Sequence, residues 1–110
     1  MTFTDYGFFS VTEPVPGSVV LSFANEEGKD WYDIRRNLTK WKRETGAFIS
    51  AVYPTWAMVD ADGVVTNVEY DPSRLMPGDR RILGIDAPIE TVKPGMIFRD
   101  GELHDPTGTH

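Results

Sequence analysis

The chain has 110 residues, no cysteine and a net charge of −6 from 17 acids and 11 bases. That length gives one domain, able to bury roughly two-thirds of its unfolded surface without staples, and the missing cysteines exclude disulfide scaffolds, thiolate zinc sites and cysteine nucleophiles. The charge argues against general nucleic-acid binding, which cations drive.

Phe3 to Val11 is aromatic and β-branched, broken by Asp5-Tyr6-Gly7, and reads as a strand or a bent pair of strands. Glu13-Pro14-Val15-Pro16-Gly17 is a turn, and Ser18 to Phe23 is a strand with little alternation. From Asp30 the period changes. Trp31, Ile34, Leu38 and Trp41 fall on one helical stripe, which predicts an amphipathic helix over about residues 30–43. Asp30 is the expected N-cap, with Asp33 completing a capping-box-like arrangement and Gly46 ending the helix. The basic residues Arg35, Arg36, Lys40, Lys42 and Arg43 then lie toward the negative end of its dipole.

Ala47 to Tyr53 is a strand stopped by Pro54, or the start of a longer bent strand running on to Val59. Trp56 to Val59 and Val64 to Tyr70 form a hairpin around Asp60-Ala61-Asp62-Gly63. Loop signals follow at Asp71-Pro72-Ser73 and Met76-Pro77-Gly78-Asp79, and Arg81 to Ile85 fits a short strand before a break at Asp86 to Glu90. A second hairpin pairs Met96-Ile97-Phe98 with Glu102-Leu103-His104 across Arg99-Asp100-Gly101. The expected fold is therefore α+β, mainly antiparallel sheet with two C-terminal hairpins and one helix. It comprises a single domain over 1–105 and a flexible tail over 106–110.

The stretch from Trp56 to Leu103, with its Asp60-Ala61-Asp62-Gly63 turn, its Val64-Val65-Thr66-Asn67-Val68 return and its closing Pro94-Gly95-Met96-Ile97-Phe98-Arg99-Asp100-Gly101, resembles a module of bacteriophage tail-fibre and tail-fibre-assembly proteins. The aromatic usual after the second motif's glycine is Met96 here, with Phe98 two positions on. The resemblance covers the second half of the chain. It implies a tail accessory protein that binds a tail-fibre or tail-tip protein as an assembly chaperone or structural cap. Such a protein would work in the host cytoplasm during assembly, or in the virion tail.

The sequence carries little that points to catalytic or metal-binding chemistry. Counted as a calcium loop from Asp60, the ligand positions 5 and 12 are Val64 and Asp71, so a turn explains the acids better. His104 and His110 are the only histidines, and there is no Gly-x-Ser-x-Gly elbow or His-Glu-x-x-His motif. No apolar run approaches the roughly 20 residues of a membrane span, and the N-terminus lacks a basic signal start. The expectation is a soluble, non-enzymatic protein with no cofactor, no metal, no nucleic-acid partner and no membrane insertion.

Trp31, Tyr32, Trp41, Tyr53, Trp56 and Tyr70 are the aromatics available for a sugar platform. Trp31 and Trp41 belong to the helix stripe and are expected to pack on the sheet, Trp56 fits core or surface, and Tyr32 lies off the stripe. Arg36, Lys40 and Arg43 share a helical face at spacings of 4 and 3. Tyr32, Arg36, Lys40 and Arg43 are the expected partner-binding residues, set against the plainer reading of a solvated face. The alternative functions are a carbohydrate- or receptor-binding module of the tail and a small acidic inhibitor of a host enzyme.

Overall fold

Two segments with little polar alternation, Thr55–Val59 and Arg80–Asp86, lie side by side in the middle of the molecule and are buried along most of their length. The computed structural model describes residues 2–11 and 23–105. In chain order the elements are β1 (Thr2–Val11), β2 (Phe23–Ala24), α1 (Trp31–Leu38), β3 (Thr39–Trp41), β4 (Phe48–Ala51), β5 (Thr55–Val59), β6 (Val65–Glu69), β7 (Arg80–Asp86), β8 (Ile97–Arg99) and β9 (Glu102–His104). An antiparallel sheet runs β2-β1-β7-β5-β6, and β3–β4 and β8–β9 form separate two-stranded sheets. The α+β class and both C-terminal hairpins are as the sequence predicts. The turn at 13–17, the 18–22 part of its following strand and the 106–110 tail lie outside the described residues.

Period-two alternation divides the central strands between two cores. Trp56, Met58 and Ile82 join Phe9, Phe23, Trp31 and Leu75 on the helix side of the sheet. Ala57, Val59, Leu83 and Ile85 join Val65 and Val92 on the other, where Phe98 and Leu103 of the last hairpin pack. Gly84 in mid-β7 leaves the room that Tyr53 occupies, since a Cβ there would lie 2.6 Å from its ring.

Strand β1 serves both cores because it carries a bulge. Asp5 pairs with Leu83 and Gly7 with Ile82, leaving Tyr6 as the extra residue. Phe3 and Phe9 would otherwise face the same side; with the bulge, Phe3 packs on the hairpin core and Phe9 on the helix core. Asp5 Oδ1 accepts from the Gly7 N–H at 2.9 Å, and Arg81 Nη1 donates to Asp5 Oδ1 and Oδ2 at 2.9 and 2.7 Å. Glu26 accepts the Phe8 N–H at 2.6 Å, and the Asn25 amide donates to the Tyr6 carbonyl at 2.9 Å.

The helix is shorter than its pattern predicts. Trp31 is fully buried, its indole N–H donating to the Leu75 carbonyl at 3.2 Å and its ring edge-on to Phe9 at 5.5 Å. Asp30 occupies the N-cap position, but its backbone bridges Ala24 and its side chain caps nothing, so the expected capping box is absent. At the other end Thr39 Oγ1 donates to the Arg35 carbonyl at 3.0 Å and the chain turns extended. Thr39, Lys40 and Trp41 then pair with Ala51, Ser50 and Phe48. Pairing satisfies the backbone of a segment led by a β-branched residue, and the turn that makes it possible is closed by Gly46 at φ 70°. Gly46 thus ends a hairpin and not a helix. Strands β4 and β5 belong to different sheets, so no long bent strand spans 47–59.

The last hairpin turns at Asp100-Gly101, both at positive φ (54° and 75°), as a tight two-residue loop requires. It is fastened to the sheet through the loop before β6: the Phe98 N–H donates to the Gly63 carbonyl at 2.7 Å, and the Val65 N–H to the Met96 carbonyl at 2.8 Å. A Cβ on Gly63 would stand 2.8 Å from the Phe98 carbonyl oxygen, and Gly63 has φ 85°. Gly63→Ala is therefore expected to cost about 2–4 kcal/mol by urea denaturation, combining backbone strain and a lost approach. Gly28→Ala, at φ 78° with nothing within 4 Å, should cost only the strain, about 1 kcal/mol. Equal costs for the two variants would contradict this docking of the hairpin.

Tyr6 stacks on Trp56 at 5.6 Å, and burial pushes its phenol above the usual 10.0, with Tyr53 adding to the rise and a hydrogen bond from Thr4 opposing it. The fold favours the neutral phenol. Its contribution is present below the unfolded value and is lost as pH rises through the raised one. Between about pH 9 and pH 11 the urea midpoint of Tyr6→Phe should fall less than that of the parent chain.

Candidate functional site

The surface that stands out is built where α1 runs into β3. Tyr32, Arg35, Arg36, Thr39 and Trp41 line a cleft of about 380 Å³ there. Tyr32 leans on Phe23 at 6.3 Å, and the Arg35 guanidinium lies over its ring at 4.8 Å while donating to the Ser73 carbonyl at 3.2 Å. Arg35 is thereby held in place. Arg36 is more exposed and faces Asp33 at 3.7 Å, a surface pair worth little in water.

Trp41 forms the far wall. Its indole N–H donates to Thr39 Oγ1 at 3.0 Å, and that hydroxyl donates in turn to the Arg35 carbonyl, which orients the ring through two successive bonds. Trp41 meets Phe48 edge-on at 5.3 Å, and Phe48 meets Tyr70 at 5.9 Å. The row runs from the β3–β4 hairpin to the end of β6. Trp41 is 43% exposed and Tyr70 52%, and Ile49 on β4 and Val52 just after it reach 60% and 58%. A second cleft of about 350 Å³, lined by Leu38, Lys40, Ser50 and Val52 among others, adjoins the first at Thr39.

The four expected partner-binding residues are divided by this geometry. Tyr32 and Arg36 line the first cleft, though Tyr32 is half-buried and not freely exposed. Lys40 is on β3 in the second cleft, and Arg43 lies in the turn between β3 and β4. Because the helix ends at Leu38, Arg36, Lys40 and Arg43 do not share a helical face. Trp41, expected to pack on the sheet, is instead an exposed wall of the cleft, whereas Trp31 and Trp56 are both fully buried. Sequence reasoning missed Arg35, Thr39 and Trp41 as a unit. Their one signal is the alternation Thr39-Lys40-Trp41 ahead of a glycine turn, which the strong helical period before it masks.

The other polar clusters are occupied by structural tasks. Asp60 Oδ1 accepts from the Asp62 and Val64 N–H groups at 2.9 and 3.0 Å, which makes the acidic turn a turn. A pocket of about 270 Å³ at the β1 bulge is walled by the Asp5–Arg81 pair and by Asn25 and Glu26, whose bonds hold the bulge. His104 faces Glu102 at 3.9 Å at the edge of the last hairpin. Among the described residues no group of three or more histidines or acids is placed to hold a metal ion, and no helix is long and apolar enough to cross a membrane.

No protein-family model matches the chain, and no curated protein matches it.

The two tryptophans flanking α1 should separate cleanly on substitution. Trp31→Ala removes a fully buried ring and is expected to cost about 3–5 kcal/mol in denaturant unfolding. Trp41→Ala should cost about 1 kcal/mol or less, since its ring is largely a surface feature. A large loss from Trp41→Ala would mean that the row holds the fold together and is not free to bind.

Proposed function

We propose that this chain is a non-enzymatic binding domain that docks on a protein partner through the end of α1 and the β3–β4 hairpin. The observation that carries the reading is the Trp41–Phe48–Tyr70 row beside Arg35 and Arg36, in which Trp41 is held by Thr39 and both end rings are exposed. Aromatics and arginines of this kind are what interface centres are made of, and large aromatics left in water need a compensating use. The resemblance of Trp56 to Leu103 to tail modules supplies the identity of the partner: a tail-fibre or tail-tip protein of a phage or prophage. The chain serves it as an assembly chaperone or a cap, in the host cytoplasm and then on the tail.

Co-expression with any tail-fibre or tail-tip protein encoded beside its gene is the test. A complex is expected on size-exclusion chromatography, weakened about tenfold or more by Trp41→Ala. If no neighbouring tail protein is retained, the tail reading falls. A second reading is favoured by the fixed indole face beside two arginines, an arrangement that also suits an anionic sugar. Under it, tryptophan fluorescence would shift on titration with acidic oligosaccharides.

A further inference from the structure

We infer that the Arg35–Trp41 cleft takes an extended, acidic segment of the partner, seating carboxylates on the arginines and an apolar side chain against the indole. The inference rests on the protein-binding reading of this surface and adds the chemistry of what binds. Charge supplies the first argument. Residues 35–43 hold five of the 11 basic residues and no acid, in a chain whose net charge is −6. Arg35 and Arg36 of that basic stretch line the cleft and Lys40 lines the one beside it, so a complementary partner surface is acidic.

Preorganisation supplies the second. Arg35 is stacked on Tyr32 and tied to the Ser73 carbonyl, so its planar fork is already aimed when a carboxylate arrives. Trp41 is likewise oriented by Thr39. Groups fixed in advance lose little entropy on binding. Arg36 has only an exposed contact to Asp33 to give up.

The exposed apolar surface fits a peptide better than a glycan. The aliphatic side chains of Ile49 and Val52 are exposed on and just after β4, and such groups bury against apolar protein side chains rather than sugar hydroxyls. In addition, β3 and β4 pair only with each other among the described residues. Each therefore offers a free edge to an extended chain.

Selection of a random peptide library on the immobilised chain tests this directly. Enriched peptides should carry clustered Asp and Glu beside a Leu, Ile or aromatic residue and bind more weakly as salt rises. They should lose about tenfold or more affinity on Arg36→Glu and on Trp41→Ala, and should shift the Trp41 indole and Tyr32 resonances. Lys40→Glu, on the neighbouring strand, provides a second charge reversal should Arg36→Glu unfold. Failure to enrich any peptide, enrichment of neutral or basic ones, indifference to both charge reversals, or binding of heparin alone would overturn the inference. A fibre complex that forms but ignores these reversals removes the acidic-segment inference and leaves the protein-binding reading standing. Acidic peptides that bind where no tail protein does remove only the identity of the partner.

Discussion

Strand β7 is hydrogen-bonded to β1 on one side and β5 on the other, and from Ile82 to Ile85 both of its faces are buried. A strand in that position has no tolerance for slippage, because a shift of one residue would exchange Ile82 for Leu83 and invert both cores at once. The flanking elements follow from it. The helix exists to cover Ile82, Trp56 and Met58, and the C-terminal segment exists to cover Leu83, Ile85 and Ala57. The bulge at Tyr6 is the accommodation that β1 makes, since its aromatic residues have to serve both layers.

The candidate site is a by-product of how the helix layer ends. Trp31 fixes the start of α1 by burying its ring and satisfying its indole N–H on Leu75. The helix covers what it must within eight residues, and the chain then leaves it as a small hairpin outside the main sheet. With no large core beneath, that hairpin cannot bury all of its aromatics. Trp41 meets Phe48 edge-on and Phe48 meets Tyr70 instead, and the basic residues that a longer helix would have carried on one face are spread over helix, strand and turn. The end of the helix and an oriented indole come together because Thr39 both bonds the Arg35 carbonyl and holds the Trp41 indole N–H.

Much of the sheet was legible because its signals are local. Asp60 to Gly63 and Asp100-Gly101 specify turns through their own side chains and φ angles, and the apolar runs on either side have little choice but to pair. The segment from Thr39 to Gly46 was not legible, because its residues satisfy a helical period as well as a strand alternation. Arg81 to Ile85 was readable as a strand but not as the centre of the sheet, since nothing within those residues records which strands lie beside them.

By itself, then, the sequence determined the class of the molecule, the turns of its two C-terminal hairpins and the hairpins themselves, along with the start of helix α1 at Trp31. Local φ preferences, apolar periodicity and a side chain that must be buried are enough for these. Tertiary structure alone decided where the helix stops and which core each face of β1 serves. It also decided that Trp31 lies inside while Trp41 lies in water. These outcomes depend on competition for backbone partners and for limited core volume between residues far apart in the chain, and no window of sequence contains both competitors.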